Sequence, residues 1–468
     1  MQYVSTRGQA PTLSFADVLM AGLAVDGGLY VPQSWPQVSP ATIAGFAGKA
    51  YGDVAFDVIA PFLGTDIPAA DLRRMIAAAY AGFDDPAIAP LREIEPHFHV
   101  LELFHGPTLA FKDVAMQLLA QLMDYVLAKR GNRITIVGAT SGDTGAAAIE
   151  AFRGHANIDV FILFPEGRVS PFQQRQMTTT AAANVHPIAI KGTFDDCQAI
   201  LKALFNKRDF REAVSLSGVN SINWARILGQ IVYYFTAAAK LGAPGKRVSF
   251  TVPTGNFGDV FAGYVAKKMG LPIETLVVAT NVNDILARTI ATGRYEVRGV
   301  HATTSPSMDI QVSSNFERLL FEAYGRDANA VRALMADLAA TGAFTIAPTA
   351  LAAIRADFVA GRANEIEVAN TIAHTLNASG FLADPHTAVG LAVARRFAHP
   401  HAEMVTLATA HAAKFAEAVK AAAGTEPKLP QGFEPVLTQP ERYVGLANSA
   451  QAVEDHIRAV SRATAEKV

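Results

Sequence analysis

The stretch Glu102-Leu-Phe-His-Gly-Pro-Thr-Leu-Ala-Phe-Lys112-Asp113 marks the point where a loop becomes a helix. Its middle cannot be helical, because Gly106 is conformationally permissive and Pro107 restricts the residue before it. After Lys112 the apolar residues recur at nearly four-residue spacing, which predicts a helix. The sequence therefore places Lys112 in a first helical turn, close to the positive end of the helix macrodipole.

The surroundings of Lys112 favour a reactive amine. A helix N-terminus disfavours a cation, and the neighbouring Phe111 and Val114 are apolar. Desolvation lowers the proton affinity of an amine and suits it to Schiff-base chemistry. The alternative is an ordinary solvated lysine, because most lysines are exposed.

Apolar, β-branched runs alternate with helical segments between residues 96 and 280. The runs are Ile134–Val137, Val160–Phe164, Val185–Ile190, Val248–Val252 and Thr275–Ala279. This alternation predicts βαβ units and a mostly parallel sheet. Ligands of such sheets bind beyond the carboxyl ends of the strands, which is where the polar motifs lie.

Outside this region the chain is mainly helical in pattern. We expect an N-terminal domain over 1–95 with a short strand at Leu29–Val31, a catalytic region over 96–425, and a connector with a final helix over 426–468. Within these, the sequence predicts helices over 328–340, 349–360, 364–378 and 446–466 and a strand over Met404–Ala408.

The composition limits the classes of function. The chain has 468 residues, of which 50% are hydrophobic and 18% charged, so we expect a globular protein of two or three domains. Its net charge of −2 favours neither nucleic acid nor an anionic membrane as partner. Without a signal peptide or transmembrane run, and with Cys197 as the single cysteine, we expect a cytoplasmic protein without a metal site.

A glycine-rich turn follows one predicted strand. It reads Val-Pro-Thr-Gly-Asn-Phe-Gly-Asp over residues 252–259 and precedes a helix predicted over 260–269. Gly255 and Gly258 allow N–H groups to point inward, and the helix dipole adds positive potential, so the turn can hold a phosphate. The alternative is a plain turn; no Lys-Ser/Thr pair follows, so it is not a Walker loop.

A second turn, at 138–145, also joins a strand to a helix. Its glycines partly match a dinucleotide fingerprint, but the spacing is not G-x-G-x-x-G. Thr140, Ser141, Asp143 and Thr144 would crowd a pyrophosphate, whereas hydroxyl and N–H groups at a helix start suit an amino-acid carboxylate.

The segment Asn220-Ser-Ile-Asn-Trp-Ala-Arg226 begins a helix predicted over 223–241. Asn220 or Ser221 is a suitable N-cap. The helix dipole disfavours Arg226 so close to the helix start, and a bound anion would resolve this conflict. The guanidinium geometry suits a phosphate.

Two polar motifs come late in the chain. Thr409 follows the last predicted strand and is explained equally well as a local cap. His386, in Asp384-Pro-His-Thr387, and His105 are candidate acid–base groups, although a hydrogen-bonded structural histidine is the simpler interpretation.

Taken together, these stretches resemble the threonine synthases, a family of pyridoxal-phosphate enzymes with the fold of tryptophan synthase β, called fold type II. Seven motifs carry the resemblance in order: STRGQAP…GLAVDGGLYVP, HGPTLAFKD, GATSGDTGAA (138–147), NSINWARILGQ (220–230), VPTGNFGDVFAGYVAKKMGLPI (252–273), DPHTAVG and LATAHAAKF. It spans nearly the whole chain. It implies an α/β fold of two open, mostly parallel sheets flanked by helices, with the cofactor between two subdomains and a helix-rich N-terminal domain.

The resemblance also implies roles for individual residues. Lys112 holds pyridoxal 5′-phosphate and acts in catalysis, and Thr409 lies under the pyridine nitrogen. Residues 255–259 hold the cofactor phosphate: Gly255, Asn256, Phe257, Gly258 and Asp259. The turn with Thr140, Ser141, Asp143 and Thr144 binds the substrate carboxylate, and Ser221, Asn223 and Arg226 bind the substrate phosphate. Asp143 stands where several fold relatives carry asparagine.

The reaction implied by the resemblance converts O-phospho-L-homoserine and water to L-threonine and phosphate, by γ-elimination and β-addition of water. We expect a carbon–oxygen lyase that acts as a monomer or homodimer on this small molecule. One alternative is a serine or threonine dehydratase, which has no substrate phosphate for Arg226 to hold. The other is a non-catalytic homologue that binds pyridoxal phosphate.

Overall fold

The computed structural model describes residues 1–140, 142–398 and 402–464. The first eighty residues contain mainly helices and one small antiparallel sheet, as the sequence predicts. The elements are strands β1 (Gln2–Ser5), β2 (Leu13–Ser14) and β3 (Tyr30–Pro32) and helices α1 (Phe15–Ala21), α2 (Pro40–Ala44), α3 (Tyr51–Leu63) and α4 (Ala69–Tyr80). Strand β1 lies between the other two.

Thirteen further strands lie within the described residues. They are β4 (Leu91–Glu95), β5 (Phe98–Glu102), β6 (Ile134–Ala139), β7 (Ile158–Pro165), β8 (Val185–Ile190), β9 (Leu216–Ser217), β10 (Val248–Pro253), β11 (Ile273–Thr280), β12 (Arg294–Glu296), β13 (Ala343–Thr345), β14 (Phe358–Arg362), β15 (Glu403–Ala408) and β16 (Val444–Leu446).

The helices alternate with these strands through most of the chain. They are α5 (Lys112–Arg130), α6 (Asp143–Phe152), α7 (Pro171–Thr178), α8 (Phe194–Asn206), α9 (Arg208–Ala213), α10 (Trp224–Lys240), α11 (Gly258–Lys268), α12 (Ile285–Thr292), α13 (Phe316–Ala323), α14 (Ala328–Thr341), α15 (Pro348–Asp357), α16 (Glu365–Ser379), α17 (Pro385–Ala394), α18 (Ala416–Ala423), α19 (Glu434–Thr438) and α20 (Ala450–Val460).

Two open sheets organise the larger part of the molecule. One has the strand order β14-β11-β10-β15-β5-β4, in which only the edge strand β4 is antiparallel. The other has the order β16-β8-β7-β6-β9 and is entirely parallel. The predicted α/β fold with two mostly parallel sheets is therefore confirmed. None of the helices in the described ranges is long and apolar enough to cross a membrane.

The region predicted to be helical over 281–400 contains strands as well. The helix expected over 349–360 ends at Asp357, and Phe358–Arg362 forms an edge strand beside β11. Phe358 is buried against the rings of Phe257 and Tyr264, so its packing favours an extended chain.

The last predicted helix is shorter than expected. The sequence predicts this helix over 446–466, whereas it runs over Ala450–Val460 with Ser449 as its N-cap. Residues 444–446 form strand β16 instead. The predicted end of the helix reaches residues 465 and 466, which lie outside the described residues.

Helices α5 and α10 run through the main hydrophobic core and pack closely on each other. Gly229 allows this approach, since a Cβ there would lie 3.0 Å from the Cα of Ala115. Apolar residues of the small N-terminal sheet, of α3 and of both large sheets belong to the same buried cluster. The start of α5 is thus held between layers that cannot shift independently.

The loop that enters α5 is fixed by hydrogen bonds to the segment after β15. Phe111 N donates to Thr409 O at 2.9 Å, and His411 N donates to Leu109 O at 3.0 Å. Within the loop, the buried carboxylate of Asp113 accepts from Thr108 N at 2.8 Å and from Thr108 Oγ1 at 2.7 Å. These contacts determine where α5 begins.

We predict that Gly106→Ala destabilises the protein. A Cβ at Gly106 would lie 2.5 Å from the Cβ of Asp113, so the loop must shift, which costs about 1–3 kcal/mol. Urea unfolding measures the change. Gly82→Ala is the matched control, because this exposed glycine has no atom within 4 Å of an added Cβ. Equal effects of the two substitutions would contradict the prediction.

Candidate active site

A cavity of about 900 Å³ lies at the carboxyl ends of β6, β10 and β15. All of the predicted site residues line it except Ser141 and Asn223; the lining includes Lys112, Thr140, Asp143, Thr144, Ser221, Arg226, residues 255–259 and Thr409. Ser141 lies outside the described residues. The parallel-sheet rule therefore brings the segments that follow five strands, β5, β6, β9, β10 and β15, to one place.

Lys112 is the first residue of α5 and is buried. Its Nζ lies 3.4 Å from Oδ2 of Asp143 and 4.9 Å from the centre of the Phe111 ring. Burial lowers the pKa of Lys112; the carboxylate of Asp143 opposes this, while the positive charges of Lys414 and Arg226 add to it. The amine of Lys112 therefore releases its proton more readily than an exposed lysine does.

Asp143 lies between two lysines at the start of α6. Its Oδ1 is 3.0 Å from Nζ of Lys414 and accepts from Nε2 of Gln173 at 2.8 Å. Burial would raise the pKa of Asp143, but the charges of Lys414 and Lys112 hold it far below its usual range. Asp143 is thus a permanent carboxylate beside the reactive amine.

The glycine-rich turn offers N–H groups to an anion. Phe257 has φ of 65°, and α11 begins at Gly258 with its first intrahelical bond from Phe261 N to Phe257 O at 3.0 Å. The N–H groups of 258–260 consequently have no carbonyl partner in their own helix. A Cβ at Gly255 would lie 3.0 Å from the carbonyl oxygen of Ser307, so a larger residue would narrow this cradle.

Asp259 makes this cradle less simple than the sequence indicates. Its Oδ1 accepts from the hydroxyls of Tyr233 and Tyr234, while its buried Oδ2 has no partner among the described residues. Burial raises the pKa of Asp259 to about 7, although the tyrosine hydrogen bonds oppose the rise. Near neutral pH this carboxyl can therefore keep a proton beside an anion site.

Arg226 is a buried cation without a carboxylate partner within 4.0 Å in the described part of the chain. Its Nη1 donates to Val219 O at 3.2 Å, and its buried Nε has no acceptor among the described residues. Burial lowers the pKa of Arg226 to about 10. An uncompensated buried guanidinium that lines a cavity is suited to an anionic ligand.

The cap of α10 differs from the prediction. Asn223, rather than Asn220 or Ser221, caps the helix: its side chain accepts from Ala225 N at 3.0 Å and donates to Leu19 O at 2.9 Å. Its Oδ1 and Nδ2 each make one hydrogen bond within the protein, and Asn223 does not line the cavity. Ser221 is half-buried and lines the cavity.

Neither candidate histidine is placed as a free acid–base group. His386 lines the cavity, but its Nδ1 lies 2.7 Å from Asp384 and its Nε2 accepts from Ser307 N at 3.3 Å. Burial would lower the pKa of His105, but hydrogen bonds to Glu102 and Asp84, together with their charges, raise it. Both ring nitrogens of each histidine therefore have hydrogen-bond partners within the protein.

Three site residues were missed by the sequence reasoning. Asn315 donates to Asn256 O and Ser221 O, and Ser307 approaches both His386 and Asp143. Both lie in a segment predicted only as helical, which carries no visible signal. Lys414 lies in the LATAHAAKF motif, where a lysine within an alanine-rich apolar run could have indicated a buried charge.

Three family profiles match the chain in sequence order. They are "Threonine synthase N terminus" over residues 2–80, "Pyridoxal-phosphate dependent enzyme" over 87–365, and "Threonine synthase, C-terminal" over 387–457. A buried amine beside an anion cradle, within a profile that covers more than half of the chain, defines a pyridoxal-phosphate-dependent enzyme of fold type II.

Relatives identify the family more narrowly. The threonine synthase of Pseudomonas aeruginosa is 51% identical over 97% of both chains. Among solved structures, a PLP-bound threonine synthase from Brucella melitensis has 61% identity and a TM-score of 0.98 and covers 99% of this chain and 100% of its own. The yeast enzyme has 39% identity and a TM-score of 0.93 over 98% of both chains. The chain belongs to the threonine synthase family.

These comparisons confirm the family, the fold, the class of pyridoxal-phosphate-dependent lyase and the cofactor that the motifs imply. The cavity also fits the cofactor on physical grounds. It combines a desolvated lysine with a helix N-terminus whose N–H groups lack carbonyl partners, and Gly255 keeps the space that a Cβ would fill. Its volume leaves room for a small substrate as well.

We predict that Asp259→Asn gains stability relative to the wild type as pH rises. The unfolded chain loses the Asp259 proton near pH 4, whereas the folded chain keeps it to about pH 7. Ionisation therefore favours the unfolded wild type by about 1.4 kcal/mol for each pH unit of this window, and asparagine lacks this effect.

Urea unfolding of the cofactor-free protein between pH 4 and pH 8 measures this difference. Between pH 4 and pH 7 we expect the free energy of unfolding of the variant to increase by on the order of 2–4 kcal/mol relative to that of the wild type. Above pH 7 this difference should not grow further. The same substitution at the exposed Asp455 is the control. A difference that is independent of pH would show that Asp259 is ionised throughout.

Proposed function

We propose that this protein converts O-phospho-L-homoserine and water to L-threonine and phosphate. The observation that carries the proposal is the pair of anion sites in one cavity: the cradle at 255–259 and the buried guanidinium of Arg226. A cofactor phosphate needs only one such site. A second, desolvated cation suits a substrate that carries its own phosphate, which serine and threonine lack.

Lys112, residues 255–259 and Thr409 would hold the cofactor. Lys112 would bind it covalently through Nζ, the 255–259 cradle would bind its phosphate, and Thr409 would offer a neutral hydroxyl to the ring nitrogen. When bound, pyridoxal phosphate supplies a conjugated ring that accepts the electron pair left at the substrate carbon. The hydrogen bond from Phe111 N to Thr409 O supports this arrangement, because it holds Thr409 beside the residue that precedes Lys112.

The chain's own residues then position the substrate and move its protons. Thr140 and Thr144 bind the carboxylate at the start of α6, together with Ser141. Lys112 Nζ takes one proton from Cα and one from Cβ, so that a Cβ–Cγ double bond forms as the Cγ–O bond to phosphate breaks, and it later returns protons to Cγ and Cα. Arg226 and Ser221 bind the substrate phosphate, and the guanidinium stabilises the phosphate anion as it leaves Cγ. Water then adds at Cβ.

Two of the predicted roles change in this proposal. Asn223 is given the role of helix cap and holds the backbone that carries Arg226. Asp143 is given an electrostatic role beside Lys112, because its carboxylate would repel a substrate carboxylate at contact distance.

We propose the same three-part division of the chain as above, at 1–95, 96–425 and 426–468. We propose that the protein acts as a monomer or as a homodimer. The buried, unpaired Cys197 supports a cytoplasmic location.

We predict that Lys112→Ala lowers the catalytic rate by at least about 10³-fold, because the variant loses the amine that binds the cofactor and moves the protons. Phosphate release from O-phospho-L-homoserine measures the rate. In the wild type, borohydride should fix the cofactor to the peptide that contains Lys112, as read by mass spectrometry. Attachment at another lysine would contradict the assignment. Lys129→Ala, at the other end of α5, is the control.

We predict that Arg226→Ala raises KM for O-phospho-L-homoserine about 10–100-fold, since the substrate phosphate loses a charge-assisted contact. Arg226→Lys keeps the charge without the bidentate fork and should give an intermediate value. Serine is the comparison substrate: a dehydratase would deaminate serine and would tolerate Arg226→Ala. An unchanged KM in this variant would reject the phosphate site.

A further inference from the structure

Lys414 is a buried cation whose hydrogen-bonding capacity is fully used. It lies in a short 3-10 turn, Ala412–Phe415, just after the end of β15, and its side chain has no solvent exposure. Its Nζ donates to Thr108 O at 2.6 Å and to Gln176 Oε1 at 3.0 Å and lies 3.0 Å from Asp143 Oδ1. Three donor protons thus meet three acceptors.

The positive charge of Lys414 is buried and must be compensated by the groups around it. A lysine without solvent is costly unless a carboxylate compensates it, and two of its three acceptors are neutral. Asp143 is the single carboxylate among them. The side chain of Asp143 is also almost completely buried, so the two groups form an ion pair inside the protein rather than at its surface.

Lys112 contacts the same carboxylate at a longer distance than Lys414 does. Its Nζ lies 3.4 Å from Asp143 Oδ2, compared with 3.0 Å between Lys414 and Oδ1, and it faces the cavity. Asp143, Lys414 and Arg226 supply the charges that act on Lys112, and His386 and Asp259 line the same cavity. Asp143 is thus the carboxylate in contact with this amine, and Lys414 and Arg226 add positive potential to it.

We propose that Lys414 is a positioning residue that neutralises Asp143 and thereby leaves the amine of Lys112 free to bond and to move protons. The inference rests on the proposed role of Lys112 as the reacting amine. Without Lys414, Asp143 would pair with Lys112 alone and hold it as an ammonium, which is neither a nucleophile nor a base.

Lys414 and Lys112 have different roles in this geometry. Lys414 is fixed by three acceptors and touches no part of the cavity, so it does not take part in bond formation. Lys112 lines the cavity and its Nζ has one side-chain acceptor, Asp143 at 3.4 Å, so it is the lysine placed to react. Asp143 is common to both and keeps Lys112 oriented without fixing its proton.

The test measures the proton affinity of Lys112 directly. Full-length protein freed of pyridoxal phosphate is treated briefly with acetic anhydride at a series of pH values, and acetylation of each lysine is read by peptide mass spectrometry. Only a neutral amine reacts. In Lys414→Met we expect the pH midpoint for Lys112 to rise by about one unit, a tenfold increase in proton affinity. An unchanged or lower midpoint overturns the inference.

Two variants separate charge from packing. Lys414→Arg keeps the cation and should keep the wild-type midpoint within a few tenths of a unit. Gln176→Leu removes a neutral partner of Lys414 and should also leave the midpoint in place. If Gln176→Leu shifts the midpoint as far as Lys414→Met does, the effect is one of packing and the proposal fails.

The wild type alone keeps the inference testable if Lys414→Met does not fold. Lys112 should be acetylated with a midpoint below the ordinary lysine value, and Lys414 should remain unlabelled over the same range. Labelling of Lys414 before Lys112 would reverse their roles and overturn the proposal. These measurements use neither substrate nor turnover. They can therefore contradict the inference while phosphate release from O-phospho-L-homoserine still supports the proposed function. Equally, phosphate release can contradict the proposed function while the labelling supports the inference.

Discussion

The desolvation of the Lys112 amine is the condition on which the site depends. An amine at a helix N-terminus in contact with water would hold its proton and would be useless as a nucleophile. Burial between α5, α6 and α10 removes that water, and Asp143 then returns enough negative potential to keep the amine oriented. The large apolar core beneath α5 and α10 supplies the rigidity that this balance needs.

The topology explains why so many distant residues meet there. Parallel strands direct their carboxyl ends to the same edge, and each of the turns that follow contributes one chemical function. The turn after β6 brings Asp143, the turn after β10 brings the cradle at 255–259, and the segment after β15 brings Thr409. The loop after β5 joins this group through backbone hydrogen bonds to residues 409–411.

Local patterns in the sequence predict the parts that are encoded locally. Strand–turn–helix motifs locate Lys112, Asp143 and residues 255–259, and their glycines indicate which turns face a ligand. Contacts between distant segments leave no such pattern: Asn315 reaches Asn256 and Ser221, and Lys414 reaches Asp143, far away in the chain. Asn223 shows the same limit, because three neighbouring polar residues could each cap α10 and its bond to Leu19 selects one of them.

Asn315 has one further consequence. Its amide nitrogen donates to Asn256 O at 2.9 Å and to Ser221 O at 3.3 Å, so one side chain ties the backbone of the cofactor cradle to that of the substrate-phosphate loop. The buried guanidinium of Arg318 holds Asn315 in turn. The separation of the two anion sites is therefore set by the protein and not by the ligand. If the two sites hold the cofactor and substrate phosphates as proposed, this fixed spacing acts as a molecular ruler that selects amino acids whose phosphate lies at one distance from the reacting carbon.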